Sequence, residues 1–456
     1  MQFWKLNKVP LLLTFVSLFL YWCFAYDLIR TDYIKLVSLY SLLWLVFVIL
    51  LKFTKNNIRF LTVIAFLSRA IFILAIPNLS QDFYRFIWDG RMILEGFNPY
   101  LYTPESFIQS GDLPVKQAEA LYAGMGELNG SHFTNYPPVN QLCFIIANLF
   151  SKHSILGTVI GLRLIIILAD LGIFFYGKRL LKQLNIPVKN IFWYLLNPFI
   201  IIELTGNLHF EGVMIFFLIW SLYLLHLGKW KWAAIVFALS VSVKLIPLLF
   251  LPLVFWFFIK KSETTRKGIM CLIGFYSIIG ISTLILFAPF FSLDFVNNYS
   301  KTVGLWFQNF EFNASIYYLF REIGYWFRGY NEIKIIGKIL PLIVFLFVVA
   351  IALCKKNFNI RVLISNMLLV FTIYLFLSTT IHPWYLATLV ILCVYTNYRY
   401  PIVWSFMIIL SYLAYLNINK ADKSENLWII SIEYIMVYAF FVWEVFIKKE
   451  KPTKIS

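Results

Sequence analysis

The stretch that decides the fold is GIMCLIGFYSIIGISTLILFAPF, residues 268–290, which contains no charged side chain. A helix needs about 20 consecutive apolar residues to cross the hydrocarbon core of a bilayer, so this stretch predicts a transmembrane helix. Apolar runs recur along the whole chain. We predict spans at residues 9–25, 34–51, 58–77, 155–177, 191–204, 211–227, 232–243, 245–259, 268–290, 334–353, 361–379, 384–397, 402–417 and 427–447.

The composition agrees with a membrane protein, because 61% of the 456 residues are hydrophobic and 13% are charged. Soluble domains average about 45–50% apolar and about 25% charged residues. A backbone in lipid must satisfy its own hydrogen bonds, so the spans are expected to be helices. The sequence therefore predicts an all-α, polytopic integral membrane protein with about 12–14 transmembrane helices, in a single membrane domain over residues 1–456.

The net charge of +17 comes mainly from Lys and Arg in short segments between apolar runs. Cytoplasmic loops carry such an excess, so the charge indicates membrane orientation and does not predict nucleic-acid binding. With the N-terminus inside, residues 78–135 form a first outer loop and residues 291–333 a second. The basic clusters are Lys52/Lys55/Arg59, Lys178/Arg179/Lys182/Lys189, Lys229/Lys231, Lys260/Lys261/Arg266/Lys267, Lys355/Lys356/Arg361 and Lys448/Lys449/Lys451/Lys454.

The charge pattern leaves open whether the segment 136–150 crosses the membrane. If both this segment and 155–177 cross the membrane, the basic cluster after residue 177 falls outside, against the charge rule. Because the segment is short, we predict an interfacial or partly inserted helix.

The first outer loop combines acids, arginines and aromatic rings between Asp82 and Tyr100. Asp82 directly follows the third apolar run and is therefore expected at the membrane surface. Burial beside apolar rings raises the pKa of a carboxylate, which suits it to accept a proton. The alternative is a juxtamembrane amphipathic helix whose charges are solvated and whose aromatic residues form an interfacial belt.

Two further polar segments lie between apolar runs. Lys244 precedes a Leu-Ile-Pro break, where a cation could meet a phosphate at head-group depth; snorkelling of the lysine is the alternative. His209 and Glu211 lie in a glycine-flanked turn that we expect to face the same compartment as Asp82, with helix capping as the alternative. Two such ligands do not predict a metal site.

Charged residues inside predicted spans need a partner or a wet cavity, because each costs a few kcal/mol to insert. Arg163 and Asp170 are two helical turns apart and so share one helix face. Arg69 and Glu203 are further cases. We expect interhelical pairing at the face shared by Arg163 and Asp170, and no disulfide or zinc site from the five dispersed cysteines.

Together with two later stretches, these residues resemble the polytopic GT-C glycosyltransferases, and most closely their polyprenyl-phosphate-mannose-dependent mannosyltransferase-like members. The resemblance covers residues 60–400 and is carried best by the first outer loop. The matching elements are Asp82-x-Tyr84-Arg85-x-x-Trp88-Asp89-Gly90-Arg91, Gly96-x-Asn98-Pro99-Tyr100, Tyr136-Pro137-Pro138, Asn197-Pro198, Gly206-Asn207-x-His209, Lys244-x-x-Pro247, Phe312-Asn313 and His382-Pro383-Trp384-Tyr385.

The resemblance implies an inverting transfer of a hexose, mannose in the nearest members, from a polyprenyl-phosphate sugar to a lipid or glycan acceptor, without cofactor or metal. It implies a catalytic carboxylate in the first loop. In the similar, shifted pattern of the mannosyltransferase of GPI-anchor synthesis the first acidic pair reads D-x-D before the tyrosine, whereas Asp82 is followed two positions later by Tyr84 here, so the choice between Asp82 and Asp89 stays open. Candidate phosphate-binding residues are Lys244, Arg85 and Arg91; candidate sugar- or acceptor-binding residues are Trp88, Asn98, Tyr100, His209, Glu211, Asn313, His382, Trp384 and Tyr385.

The expected location is the bacterial inner (plasma) membrane, with the active site on the non-cytoplasmic side. A transporter or flippase of a lipid-linked sugar is the alternative function, and it would place charges at the membrane midplane between pseudo-symmetric halves. A non-catalytic scaffold is a third class, but it does not explain the acids and cations concentrated beside aromatic residues in one loop. The motifs lie at the outer ends of predicted helices, and no internal repeat is visible, which favours the enzyme.

Overall fold

A computed structural model describes residues 2–54, 57–151, 153–308, 310–355, 358–413 and 425–448. From the predicted basic clusters, Lys55, Lys356, Lys449, Lys451 and Lys454 lie outside these ranges.

The protein is 78% helical, and its described residues contain no strand, which confirms the all-α prediction. The α-helices are α1 (Gln2–Tyr26), α2 (Tyr33–Thr54), α3 (Ile58–Ile71), α4 (Asp82–Leu94), α5 (Pro104–Ser110), α6 (Ala118–Gly130), α7 (Pro138–Leu149), α8 (Ile155–Gln183), α9 (Phe192–Leu195), α10 (Pro198–Ile200), α11 (Glu211–His226), α12 (Trp230–Val243), α13 (Phe255–Lys261), α14 (Thr265–Phe287), α15 (Leu293–Gln308), α16 (Ile316–Arg328), α17 (Ile333–Cys354), α18 (Ile360–Leu377), α19 (Leu386–Cys393), α20 (Tyr400–Met407) and α21 (Leu427–Val442). Short 3₁₀ segments are Val188–Ile191, Ile246–Val254, Ala288–Phe290, Pro383–Tyr385 and Ile408–Leu413, and π-helical turns are Ile201–Gly206 and Trp443–Ile447.

Seven helices in the described ranges are long and apolar enough to cross a bilayer, or eight if a broken pair counts as one span. The broken pair is Pro198–Gly206 and α11, which meet at 113°. Several of the other predicted spans are short or interrupted, since proline lacks the amide hydrogen that continues a helix. The polytopic prediction is confirmed, and the full-length spans are Lys8–Tyr26, Tyr33–Thr54, Ile155–Gln183, Thr265–Phe290, Ile333–Cys354, Ile360–Leu377 and Leu427–Ile447.

Buried charged side chains join α3 to α8, and α8 to the turn inside the broken pair. Arg69 Nε lies 2.6 Å from Asp170 Oδ2, and neither side chain is exposed. Arg163 donates hydrogen bonds to the carbonyls of Thr205 and Gly206, at 2.8 and 3.0 Å. The expected interhelical pairing therefore occurs, with Arg69 as the partner of Asp170.

The basic segments meet at one end of the bundle, which we call the basic end. Lys261 Nζ donates to the carbonyls of Leu225 and His226 at 3.4 and 3.2 Å, which joins the end of α13 to the end of α11. The Arg399 amide donates to Glu444 at 2.5 Å, which joins the start of α20 to the end of α21. Helices α11 and α21 thus both end there.

Helices α4 to α7 form a group of shorter helices between the second and third full-length spans, after α3. Gly90 of α4 approaches α7 so closely that an added Cβ would lie 2.4 Å from Asn148 Nδ2 and 2.7 Å from the Phe144 carbonyl oxygen. Helix α7 has 12 residues, about 18 Å at 1.5 Å per residue, which is less than the roughly 30 Å of hydrocarbon it would have to cross. That length agrees with the interfacial helix expected for residues 136–150.

Candidate active site

A cavity of about 330 Å³ opens at the end of the bundle opposite the basic end, where α11 begins and α18 finishes. It is formed by the loop after α1, the start of α4, the turn after α12 and the segments around Phe312 and Trp384. Its polar and aromatic lining includes Arg30, Ser80, Gln81, Asp82, Arg85, Asn129, His132, Phe133, Thr134, Asn135, Tyr136, Lys244, Phe310, Phe312, Tyr374, His382, Trp384, Tyr385 and Tyr412.

Asp82 is half-buried at the first position of α4 and lines this cavity. Its Oδ1 accepts a hydrogen bond from Asn129 Nδ2 at 3.3 Å. Burial raises the pKa of this carboxyl to about 6, an effect that the positive charge of Lys244 opposes and the negative charge of Glu211 reinforces. A carboxylate with such a pKa can accept a proton near neutral pH.

Asp89, the other candidate base, lies two turns further along α4 and is fully buried outside the cavity lining. Its Oδ1 lies 2.7 Å from Arg85 Nε, and its Oδ2 accepts a hydrogen bond from Gln141 Nε2 at 3.1 Å. Arg85 also donates to the carbonyls of Asn129 and His132, at 2.7 and 2.8 Å. Within the described part of the chain, Asp82 is the one carboxylate in the lining.

Lys244 follows the last turn of α12 and forms an ion pair with Glu211, the first residue of α11, at 2.9 Å. The carboxylate is fully buried, whereas the lysine is 20% exposed toward the cavity. The Lys244 ammonium lies 5.7 Å from the centre of the Tyr136 ring. Glu211 therefore contacts the cavity through Lys244.

Trp384 lies between two histidines in a stack of rings. Its ring centre is 3.6 Å from that of His209 and 4.6 Å from that of His382, with interplanar angles of 19° and 8°. Phe312 continues the stack at 5.2 Å from His382, and Tyr385 meets the same ring edge-on at 5.5 Å. Burial, and secondarily the charge of Lys244, lowers the pKa of His382 to about 3, so the imidazole is neutral at physiological pH.

Trp88 and Arg91 point away from the cavity although they belong to the same loop motif. Trp88 is fully buried and its Nε1 lies 2.9 Å from the sulfur of Met92. Arg91 donates hydrogen bonds to the carbonyls of Lys116 and His153, at 2.6 and 2.9 Å. These bonds attach the loops before α6 and before α8 to α4. Neither side chain lines the cavity.

Asn98 and Tyr100 join the first outer loop to neighbouring segments. Asn98 Nδ2 donates to the carbonyl of Phe290 at 3.1 Å, which attaches the loop to the end of α14. The Tyr100 hydroxyl donates to the carbonyl of Tyr136 at 2.5 Å, directly behind the cavity wall. Both residues support the wall and neither lines the cavity.

Asn313 is buried behind Phe312 and has a left-handed backbone, with φ of 46°. Its amide hydrogen bonds to Glu425 at 2.9 Å, its side-chain nitrogen donates to Glu433 at 3.3 Å, and its carbonyl accepts from Tyr434 at 2.6 Å. These bonds anchor the loop that carries Phe312 to α21.

Several lining residues were not singled out in the sequence. Arg30 lies in the short loop after α1, and its guanidinium carbon is 6.0 Å from the centre of the Tyr412 ring. The Tyr412 hydroxyl in turn donates to Glu203 at 2.7 Å. The charge-based topology already placed the loop after the first span on the same side as Asp82, and this is the signal that could have identified Arg30. Tyr412 had no comparable signal.

The fold and the cavity define a class of protein: a polytopic, all-α membrane protein with a carboxylate, cations and stacked rings in a cavity at one end of the bundle. A family model described as "Alpha-(1->6)-mannopyranosyltransferase, N-terminal domain" matches residues 22–260, which are 239 of the 456 residues. The chain belongs to this family, which confirms the resemblance to mannosyltransferase-like proteins.

Alpha-(1->6)-mannopyranosyltransferase A of Mycobacterium tuberculosis (strain ATCC 25618 / H37Rv) is 24% identical to the chain over 225 residues. The match covers 49% of this chain and 42% of the relative, so the chain spans less than half the length of the curated relative that it matches. The family match includes Asp82, Arg85, Glu211 and Lys244, and it ends before Trp384.

Proposed function

We propose that the protein is an inverting glycosyltransferase that moves a hexose, most simply mannose, from a polyprenyl-phosphate sugar to a lipid or glycan acceptor. The observation that carries the proposal is Asp82, whose pKa of about 6 and position in the cavity lining fit a general base. Membership of the mannopyranosyltransferase family supports the choice of sugar.

In this reaction the acceptor hydroxyl gives its proton to Asp82 while its oxygen attacks the anomeric carbon. The bond from that carbon to the phosphate oxygen breaks, and its electron pair leaves with the lipid phosphate. The anomeric centre inverts because attack and departure occur on opposite faces. The negatively charged carboxylate also favours the positive charge that develops on the sugar ring.

The stacked rings suit a pyranose. Trp384, His382 and Tyr385 line the same cavity as Asp82, and His382 remains neutral. The rings of Trp384 and His382 are stacked on their neighbours, so they present their edges to the cavity. His209 supports Trp384 from behind at 3.6 Å. The sugar would lie against this stack, with its anomeric carbon toward Asp82.

An apolar groove supports a lipid-linked donor. A second cavity of about 410 Å³ shares Tyr374 and Tyr385 with the first and continues along α17 past Val344 and Phe345. The Phe345 side chain is 59% exposed, so this groove lies at the lipid-facing surface of the bundle. A prenyl chain in the bilayer is already in an apolar medium, so the groove would hold it through packing contacts and would not gain the free energy of removing it from water.

The leaving phosphate requires positive charge at the cavity. Lys244 and Arg85 line it and remain candidates for this role, whereas Arg91 is engaged on the far side of α4. The basic end is expected to face the cytoplasm, so we propose that the cavity faces the non-cytoplasmic side of a bacterial plasma membrane. Nucleotide sugars are scarce there.

The test supplies purified protein with short-chain polyprenyl-phosphate mannose or with GDP-mannose, each with the same α-mannoside acceptor. Transfer is expected from the lipid donor alone, and Asp82→Asn should slow it by about 100- to 10,000-fold. Asp112→Asn is the matched control, because Asp112 is an exposed acid of the same outer loop. Efficient transfer from GDP-mannose with none from the lipid donor would refute the proposal.

A further inference from the structure

Two of the three cations in the cavity lining are already neutralised by neighbouring carboxylates. Lys244 pairs with Glu211 at 2.9 Å, and Arg85 pairs with Asp89 at 2.7 Å. Both carboxylates are fully buried, so these pairs are poorly screened by water. Each pair contributes little net charge to the cavity.

Arg30 is different. Within the described residues no carboxylate lies within 4 Å of its guanidinium, and no hydrogen bond engages it. The residue is exposed and lines the cavity beside Tyr412. Among the described residues, Arg30 and Asp82 are therefore the arginine and the carboxylate of the lining that have no ion-pair partner within 4 Å, although the charge of Arg30 helps to lower the pKa of Asp82.

A second donor lies in the same lining. Arg85 Nη2 is buried and has no hydrogen-bond partner, although the other nitrogens of this guanidinium are engaged. A buried donor without a partner costs about 1–3 kcal/mol, so a ligand oxygen that met it would recover that cost. The atom lies beneath the cavity surface, so a ligand oxygen reaches it only if the neighbouring side chains move apart.

We propose that Arg30 is the principal phosphate-binding residue of the cavity. The inference rests on the proposed function and replaces Lys244, the first choice from the sequence, in this role. Lys244 instead forms the ion pair with Glu211, and its positive charge lowers the pKa of Asp82, which partly offsets the increase caused by burial.

The chemistry fits a guanidinium better than an ammonium. A sugar phosphodiester carries one negative charge, and the phosphate monoester that leaves carries nearly two at neutral pH. Arginine presents a planar fork of N–H donors that matches phosphate oxygens in a bidentate contact. Arg30 would consequently bind the leaving lipid phosphate more tightly than the donor, and so act where charge develops.

The test measures binding directly, with no turnover. The purified protein is titrated with radiolabelled short-chain polyprenyl phosphate, with the matching uncharged polyprenol, and with inorganic phosphate, and the bound label is measured by scintillation proximity. Arg30→Gln is expected to weaken polyprenyl-phosphate binding by about 10- to 100-fold and to leave polyprenol binding unchanged. Arg30→Lys should recover part of the loss, because it restores charge without the fork.

Arg328→Gln is the control, since Arg328 is an exposed arginine outside the lining. Unchanged thermal unfolding of Arg30→Gln excludes a folding defect, and Arg30→Lys provides the second variant if unfolding shifts. Wild-type affinity of Arg30→Gln for polyprenyl phosphate overturns the inference and leaves the proposed function intact. Failure of the wild-type chain to bind polyprenyl phosphate, with tight binding of inorganic phosphate, refutes the lipid donor itself.

Discussion

Replacing Asp82 by asparagine removes the proton acceptor without changing the size of the side chain. The residue begins α4 at the edge of a cavity, and its carboxylate accepts a side-chain hydrogen bond from Asn129, so the fold should survive its replacement. Loss of a general base typically costs about 100- to 10,000-fold in rate. We expect Asp82→Asn to fall in that range for kcat/KM with a lipid-linked sugar donor.

The pH profile of the wild-type protein tests the same carboxylate. Only the ionised form accepts a proton, and its pKa is about 6. The rate should therefore be constant above pH 7 and fall as the pH drops through 6, by about tenfold for each further unit. Lys244→Met removes the charge that lowers this pKa, so the fall should begin at a higher pH.

The assay is the initial rate of transfer from short-chain polyprenyl-phosphate mannose between pH 4.5 and 8. Asp89→Asn is the discriminating comparison, because it breaks a buried ion pair with Arg85 and should lower stability as well as rate. A wild-type profile that stays flat down to pH 4.5 would contradict the assignment of Asp82. Near-normal turnover by Asp82→Asn with an inactive, well-folded Asp89→Asn would assign the base to Asp89.

Three other predictions follow from the same contacts. Asp170→Ala should destabilise the bundle by about 3–5 kcal/mol, measured by thermal or denaturant unfolding, because it leaves the buried Arg69 charge unpaired; unchanged stability would contradict the pair. Trp384→Ala should raise KM for the sugar donor at least tenfold; because it removes the centre of the ring stack, it should also lower the unfolding temperature. An unchanged KM would argue against a sugar site at this stack. In a cysteine-free background, Ser106→Cys should react with an impermeant thiol reagent added to intact cells and Thr264→Cys should not, and the reverse pattern would invert the topology.

The local properties of the sequence determined the class of fold. Apolar length and the position of prolines depend on neighbouring residues, so the membrane helices and their breaks could be predicted without knowing any tertiary contact. The same holds for the placement of Asp82, Lys244 and Trp384 at helix ends away from the basic segments, and all three line one cavity. The membrane helices and the candidate site were predictable to that extent.

Only the tertiary structure decided which charged groups are free. Asp82 and Asp89 are on the same helix, and packing of α6 and α7 against α4 leaves the first in the cavity and buries the second with Arg85. Lys244 meets Glu211 only because α12 returns beside α11, and Arg30 reaches the cavity from a loop with no motif. The free energy of a charge depends on partners and solvent within a few ångströms, and chain folding sets those distances independently of separation along the sequence.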